Sequence, residues 1–80
     1  MDKNEIRFRI KRVIGQVLDK DPSEIADESN FVFDLGASSM QSLQLIAAFE
    51  EEFEIEMDQE KAMEVQNVSG ALDFISTYLN

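Results

Sequence analysis

Apolar side chains recur every three or four residues through most of this sequence, and that spacing predicts helices. The first series lies on one face of a helix over three turns. Asp2 and Glu5 are spaced as a capping box at its start. Pro22 cannot continue a helix interior, so the helix ends within the segment 19–23. The apolar series of this first helix is Ile6, Ile10, Val13, Ile14, Val17 and Leu18.

A second helix is predicted to begin at Ser38 or Ser39 and to run to about Phe53. Ser38 and Gln41 have the Ser-x-x-Gln spacing in which each side chain caps the other's backbone N–H. Residues that favour helices continue to the end of this segment. Its apolar series is Leu43, Ile46, Phe49 and Phe53.

Two further helices are predicted towards the end of the chain. A short one begins at Asp58, and the last runs from about Val68 to Leu79, with Asn67 as its cap. The face of the last helix is formed by Val68, Ala71, Leu72, Ile75 and Tyr78.

The segment 21–33 has turn-forming residues but no sustained period, so we expect a long loop with a short turn after Pro22. Ile25, Phe31 and Phe33 are its expected anchors to the core. No alternation is long enough to build a sheet. The prediction is an all-α fold: a four-helix antiparallel bundle with a short third helix and a long loop between helices 1 and 2. Residues 1–80 form one domain, since so short a chain supports a single core.

Missing residue types exclude several function classes. The chain has no cysteine and no histidine, which excludes disulfides, thiolate metal sites and most nucleophile–base pairs. We therefore predict that it is not an enzyme and holds no metal. A net charge of −10 opposes nucleic-acid binding and favours partners with basic docking patches. No apolar run could span a membrane and the first residues lack a signal-peptide core, so a cytoplasmic location is expected.

One motif carries a specific chemistry. The stretch 31–40, Phe-Val-Phe-Asp-Leu-Gly-Ala-Ser-Ser-Met, resembles the acyl carrier protein motif, in which Asp-Leu-Gly and one further residue precede Asp-Ser-Leu. The segments 13–15, 50–53 and 71–75 also look like that family, in register and at matching separations.

The resemblance implies that Ser39 carries 4′-phosphopantetheine through a phosphodiester, with acyl groups held on the arm's thiol as thioesters. It implies a carrier in fatty-acid, polyketide or related lipid biosynthesis. The implied partners are a phosphopantetheinyl transferase (holo-carrier synthase) and acyl-processing enzymes with basic docking patches. We expect a monomer that does not insert into membranes.

Physical reasoning agrees with this site. The first residue of a helix lies beside unpaired N–H groups at the positive end of the helix dipole, which stabilises an anionic ester by roughly 0.3–1 kcal/mol. Gly36 permits the turn that presents the hydroxyl. Ser38 is interpreted as the cap and Ser39 as the attachment site, although adjacent hydroxyls leave the opposite assignment open.

Partner recognition is assigned by the same resemblance to residues on and after the second helix. Position 38 is usually Asp in the fatty-acid type, and positions 41 and 44 are often acidic. Their uncharged side chains here suggest a specialised carrier with dedicated partners. The expected recognition residues are Ser38, Met40, Gln41, Gln44, Glu50, Glu51 and Met57.

An acyl pocket between the helices is also implied by the resemblance. A medium-length chain could gain about 0.8 kcal/mol for each methylene buried there. The expected lining residues are Ile10, Phe31, Leu45, Phe49, Ala62, Val65 and Ala71.

Three alternatives stay open at this point. A peptidyl or aminoacyl carrier would share the bundle and the modified serine. An acidic Ca²⁺-binding protein would need an EF-hand loop, but the acidic stretch 50–64 has no Gly. A helical interaction domain without a cofactor is the third.

Overall fold

Four α-helices and one short 3₁₀-helix form the described part of the chain, residues 1–79 of a computed structural model. This confirms the all-α bundle with a short third helix and a long loop after the first. No helix within those residues is both long and apolar enough to cross a membrane. The elements are α1 (Lys3–Leu18), the 3₁₀-helix (Pro22–Glu24), α2 (Ser39–Phe53), α3 (Gln59–Glu64) and α4 (Val68–Leu79).

The ends of α1 are determined by local chemistry. The Asp2 side chain accepts a hydrogen bond from the Glu5 N–H at 2.8 Å, as the sequence predicts. At the other end, Asp19 takes a left-handed conformation with φ 56° and closes the helix. The chain then turns back so tightly that a Cβ on Gly15 would meet the Lys20 carbonyl oxygen at 2.6 Å. Only glycine therefore fits at that position of α1.

The core lies where α1 packs against α2 and α4. Burying such aliphatic side chains contributes about 1.5–3 kcal/mol each, so these contacts dominate the stability of a bundle this small. The largest side chains with almost no exposed surface are Ile10, Ile14, Val68 and Ile75.

Two apolar positions differ from expectation. Ile25 and Phe31 are buried, but Phe33 is 88% exposed, so its prediction as a core anchor is wrong. The segment 30–36 forms a compact turn that directs Phe31 and Leu35 inwards and Phe33 outwards. Leu43 is also half-exposed, because the buried face of α2 is rotated from the predicted series. That face consists of Leu45, Ile46, Phe49 and Phe53.

A cluster of charged groups joins α1 to the end of α2. Arg9 donates from Nε to the Glu52 carboxylate at 2.6 Å and from a terminal nitrogen to the Glu52 carbonyl oxygen at 2.7 Å. Arg12 donates to the same carboxylate at 2.7 Å. The Arg9 guanidinium also lies 4.9 Å from the centre of the Phe53 ring, within cation–π range. These contacts hold the two helices together beyond their apolar core.

These contacts change the pKa of the Glu52 carboxyl. Burial raises the pKa of this carboxyl, but the hydrogen bonds from Arg9 and Arg12 outweigh it and hold the pKa below the ordinary value. A depressed pKa in the folded state means that the ionised group stabilises the fold at neutral pH. That contribution is lost as the pH falls through the folded-state pKa.

We predict that Glu52→Gln lowers the free energy of unfolding at pH 7 by about 1–2 kcal/mol, because it removes charge-assisted hydrogen bonds at a partly exposed site. Denaturant titrations of both proteins measure the difference. The difference in unfolding free energy between wild type and variant should narrow as the pH falls below 4.5, the ordinary pKa of a glutamate side chain.

The control is Glu51→Gln, which removes an exposed charge from the same helix. Equal stabilities for the two variants at pH 7 would contradict the assigned role of Glu52.

Candidate functional site

A hydrogen-bonded turn leads into α2. The Asn30 carbonyl oxygen accepts the N–H groups of Asp34 and Leu35, both at 3.0 Å. Its side-chain oxygen accepts the N–H groups of Val32 and Phe33, both at 2.9 Å. The Asp34 carboxylate in turn accepts the Asn30 N–H at 2.7 Å. The turn therefore has its own polar framework, centred on one asparagine.

Backbone contacts attach this turn to the rest of the bundle. The Phe31 N–H donates to the Gln66 carbonyl oxygen at 2.9 Å, and the Ala37 N–H donates to the Phe31 carbonyl oxygen at 2.8 Å. Gly36, directly before Ala37, has φ +73°, a left-handed conformation that disfavours residues with a side chain. No atom lies within 4 Å of where its Cβ would be. Glycine is required here by the backbone angle and not by lack of space.

The start of α2 is a complete capping box. The Ser38 hydroxyl accepts the Gln41 N–H at 3.1 Å, and the Gln41 side-chain oxygen accepts the Ser38 N–H at 2.9 Å. The N–H groups of Ser39 and Met40 have no hydrogen-bond acceptor among residues 1–79. Ser39, the first residue of the helix, is exposed beside these two groups. The arrangement suits an anionic group joined to the Ser39 hydroxyl.

A cavity of about 360 Å³ opens beside Ser39. Ser39 and Ser42 contribute hydroxyls, and most other lining side chains are apolar. Six of the residues expected in an acyl pocket line it. Ile10 does not line it and is fully buried in the core. The six lining residues are Phe31, Leu45, Phe49, Ala62, Val65 and Ala71.

The residues expected to recognise partners have different surroundings. Met40, Gln44 and Glu51 are exposed, whereas Ser38 and Gln41 are occupied with each other in the capping box. Met57 is only 8% exposed and lines the cavity, so little of its side chain is available to a partner. It is covered because the chain folds back after α2.

Glu50 has a structural contact as well. Its carboxylate accepts the Met57 N–H at 2.8 Å, which closes the connection from α2 to α3. The half-buried Glu50 side chain is therefore less available to a partner than the sequence suggested.

Sequence reasoning missed the residues that build the turn. Asn30 and Asp34 were not among the predicted site residues, yet their hydrogen bonds shape the approach to Ser39. Asparagine and aspartate are each turn-forming residues, because their side chains bond nearby backbone groups. That signal could have found them.

We predict that Gly36→Ala lowers the free energy of unfolding by about 1–2 kcal/mol, because alanine is strained at a left-handed φ. Thermal or denaturant unfolding measures this. Gly36→Asn is the matched control, since asparagine tolerates that conformation better than alanine. An alanine variant as stable as wild type would show that the turn adjusts to another φ.

Comparison with known proteins gives a consistent result. The family profile described as "Phosphopantetheine attachment site" matches residues 9–75, which include the capping box and Ser39. The acyl carrier protein of Caulobacter vibrioides (strain NA1000 / CB15N) is 37% identical over 73 residues, covering 91% of this chain and 94% of that protein. The acyl carrier protein of Phenylobacterium zucineum (strain HLK1) is 36% identical over 76 residues, covering 95% and 96%.

A solved structure resembles most of the bundle. A protein from Mycobacterium tuberculosis described as an acyl carrier protein superposes with a TM-score of 0.79 at 28% identity. The match covers 85% of this chain and 90% of that one.

Proposed function

This chain belongs to the acyl carrier protein family, whose members bear a covalent 4′-phosphopantetheine, and we propose that Ser39 is the residue that holds it. Proteins of this family carry intermediates and do not catalyse reactions, so the chain is not an enzyme. We extend the proposal to residues 1–80 acting as one carrier domain. A cytoplasmic location remains a prediction from the sequence.

The observation that supports Ser39 is its position at the start of α2. Its hydroxyl is exposed, it lies beside two N–H groups without acceptors, and it borders the cavity. A phosphodiester there would gain roughly 0.3–1 kcal/mol from the helix dipole. Ser38 suits the role less, because its hydroxyl already accepts the Gln41 N–H and its esterification would disturb the cap.

The chain's own part in the modification is nucleophilic. The Ser39 Oγ bonds to the phosphorus of the phosphopantetheinyl group of coenzyme A, adenosine 3′,5′-bisphosphate leaves with the electron pair, and the transferase takes the hydroxyl proton. When bound, the arm supplies the thiol that this cysteine-free chain lacks, and that thiol holds acyl groups as thioesters. Ser38 and Gly36 hold the hydroxyl towards solvent while this occurs.

The cavity supports acyl cargo over aminoacyl cargo. Its wall near Ser39 is mostly hydrocarbon, including Phe31, Leu45 and Phe49. Each buried methylene contributes about 0.8 kcal/mol, so a medium-length chain would be held several kcal/mol more tightly than a polar amino acid. We propose cargo from fatty-acid, polyketide or related lipid biosynthesis.

Family membership implies two classes of partner, the phosphopantetheinyl transferase and the acyl-processing enzymes. We propose that this is a specialised carrier. The support is the absence of negative charge at Ser38, Gln41 and Gln44, where fatty-acid carriers commonly have it.

Incubation with a promiscuous phosphopantetheinyl transferase and coenzyme A should add one phosphopantetheine to the wild type and none to Ser39→Ala, because only Ser39 is expected to react. Intact-mass spectrometry measures the gain. Ser38→Ala is the control and should still be modified, more slowly if its weakened cap frays. Loss of modification in Ser38→Ala with retention in Ser39→Ala would reverse the assignment.

The triple change Ser38→Asp, Gln41→Asp and Gln44→Glu should speed modification by a fatty-acid-type transferase, because it restores the negative charge that such carriers commonly present. Initial rates of mass gain measure this, with the promiscuous transferase as reference. Unchanged rates would argue against a specialised partner set.

A further inference from the structure

Exposed apolar side chains are concentrated around Ser39. Among residues 1–79, eight large apolar side chains are exposed, and five of these lie near Ser39 in the fold. We call these five the apolar collar: Val32, Phe33, Met40, Leu43 and Met63. An apolar patch of this kind on a small acidic protein indicates an interaction surface.

The collar is continuous with the cavity. Val32, Phe33 and Met63 line the same cavity as Ser39. Met40 follows Ser39 in α2. Leu43 is four residues after Ser39 and so lies one helical turn further along the same face. A protein that reaches the Ser39 hydroxyl would meet these side chains first.

Charge is absent from this part of α2. The segment 39–49 has no ionisable side chain, although the whole protein has a net charge of −10. Asp34, beside Phe33, has its carboxylate engaged with the Asn30 N–H. A basic docking patch would find no acid to pair with on the segment 39–49 of α2.

The acidic residues further along α2 are partly occupied inside the molecule. Glu50 accepts the Met57 N–H, and Glu52 is paired with Arg9 and Arg12. Glu51 is the exposed acid of this group, and it lies about three turns from Ser39.

The backbone of Phe33 is held by a hydrogen bond, although the residue is 88% exposed. Its N–H donates to the Asn30 side-chain oxygen at 2.9 Å, within the turn 30–36 that precedes α2. A partner that covers the ring therefore orders little backbone, which lowers the entropic cost of binding.

We propose that the phosphopantetheinyl transferase that modifies Ser39 docks on the apolar collar through an uncharged, apolar surface. The inference rests on the proposed function, since it takes Ser39 as the modified residue. The transferase must approach the hydroxyl itself, whereas enzymes that act at the far end of the arm can dock elsewhere. The net charge still attracts basic proteins at long range, but the bound contact is apolar.

The test uses a promiscuous transferase and coenzyme A as the probe, with initial rates of mass gain on Ser39 at low and high salt. Phe33→Ser should lower kcat/KM about tenfold, mainly through KM, because an exposed ring is no longer covered on docking. Leu43→Ser is a second collar variant with the same expected direction. The ratio of kcat/KM between wild type and Phe33→Ser should stay within about twofold from low to high salt, because steering by the net charge acts on both proteins alike and apolar contacts are not screened.

The matched control is Phe8→Ser, which removes another exposed phenylalanine, 65% exposed on α1 and outside the cavity lining. Its kcat/KM should equal that of the wild type. Equal values for Phe33→Ser and Phe8→Ser would overturn the proposal, as would a difference between wild type and Phe33→Ser that disappears at high salt.

Sedimentation of the unmodified protein over a concentration series tests a different occupant of the collar. A dimer that Phe33→Ser abolishes would assign the collar to a second copy and overturn the proposal, whereas a monomer supports it. If Ser39 gains no mass in any protein, the proposed function fails as well. Modification at equal rates in all variants would defeat the docking proposal alone.

Discussion

The reciprocal hydrogen bonds between Ser38 and Gln41 determine where α2 begins, and the properties of Ser39 depend on that point. These two bonds provide acceptors for the N–H groups of Gln41 and Ser38. The N–H groups of Ser39 and Met40 remain available to an anionic group. The left-handed conformation of Gly36 and the turn centred on Asn30 determine the direction in which the chain enters α2. The site therefore depends on which backbone N–H groups have hydrogen-bond acceptors, and it needs no acidic or basic side chain beside the hydroxyl.

The uneven charge of the sequence has a structural explanation. The basic residues of α1 pair with acids on other elements: Arg7 and Lys11 with Asp27, and Arg9 and Arg12 with Glu52. A hydrogen bond from Lys11, together with the charges of Lys11 and Arg7, lowers the pKa of Asp27 despite its partial burial. Part of the acidity thus stabilises the fold, while the surface around Ser39 is apolar.

Features encoded by neighbouring residues could be predicted from the sequence. Asp2, Ser38, Asp58 and Asn67 all act as helix caps, because a cap depends on a side chain and a backbone group three residues apart. The short third helix follows from the same reasoning. The motif around Ser39 was informative because its residues determine a local turn and a helix start.

Features that depend on packing between distant segments could not be predicted. Whether Phe33 faces inwards is decided by the turn that Asn30 holds, and the exposure of Leu43 by the rotation of α2 against α1. Met57 is buried because the chain folds back over the cavity. The pairing of Glu52 with Arg9 joins residues 43 positions apart, beyond any local pattern.

The most direct measurement is peptide-level fragmentation mass spectrometry of the modified wild-type protein, which separates the adjacent hydroxyls of Ser38 and Ser39. The expected result is phosphopantetheine on Ser39 alone, because the Ser38 hydroxyl is engaged in the cap. Fragments that place the group on Ser38, or modified protein with the group on neither serine, would contradict the assignment of Ser39 as the attachment site.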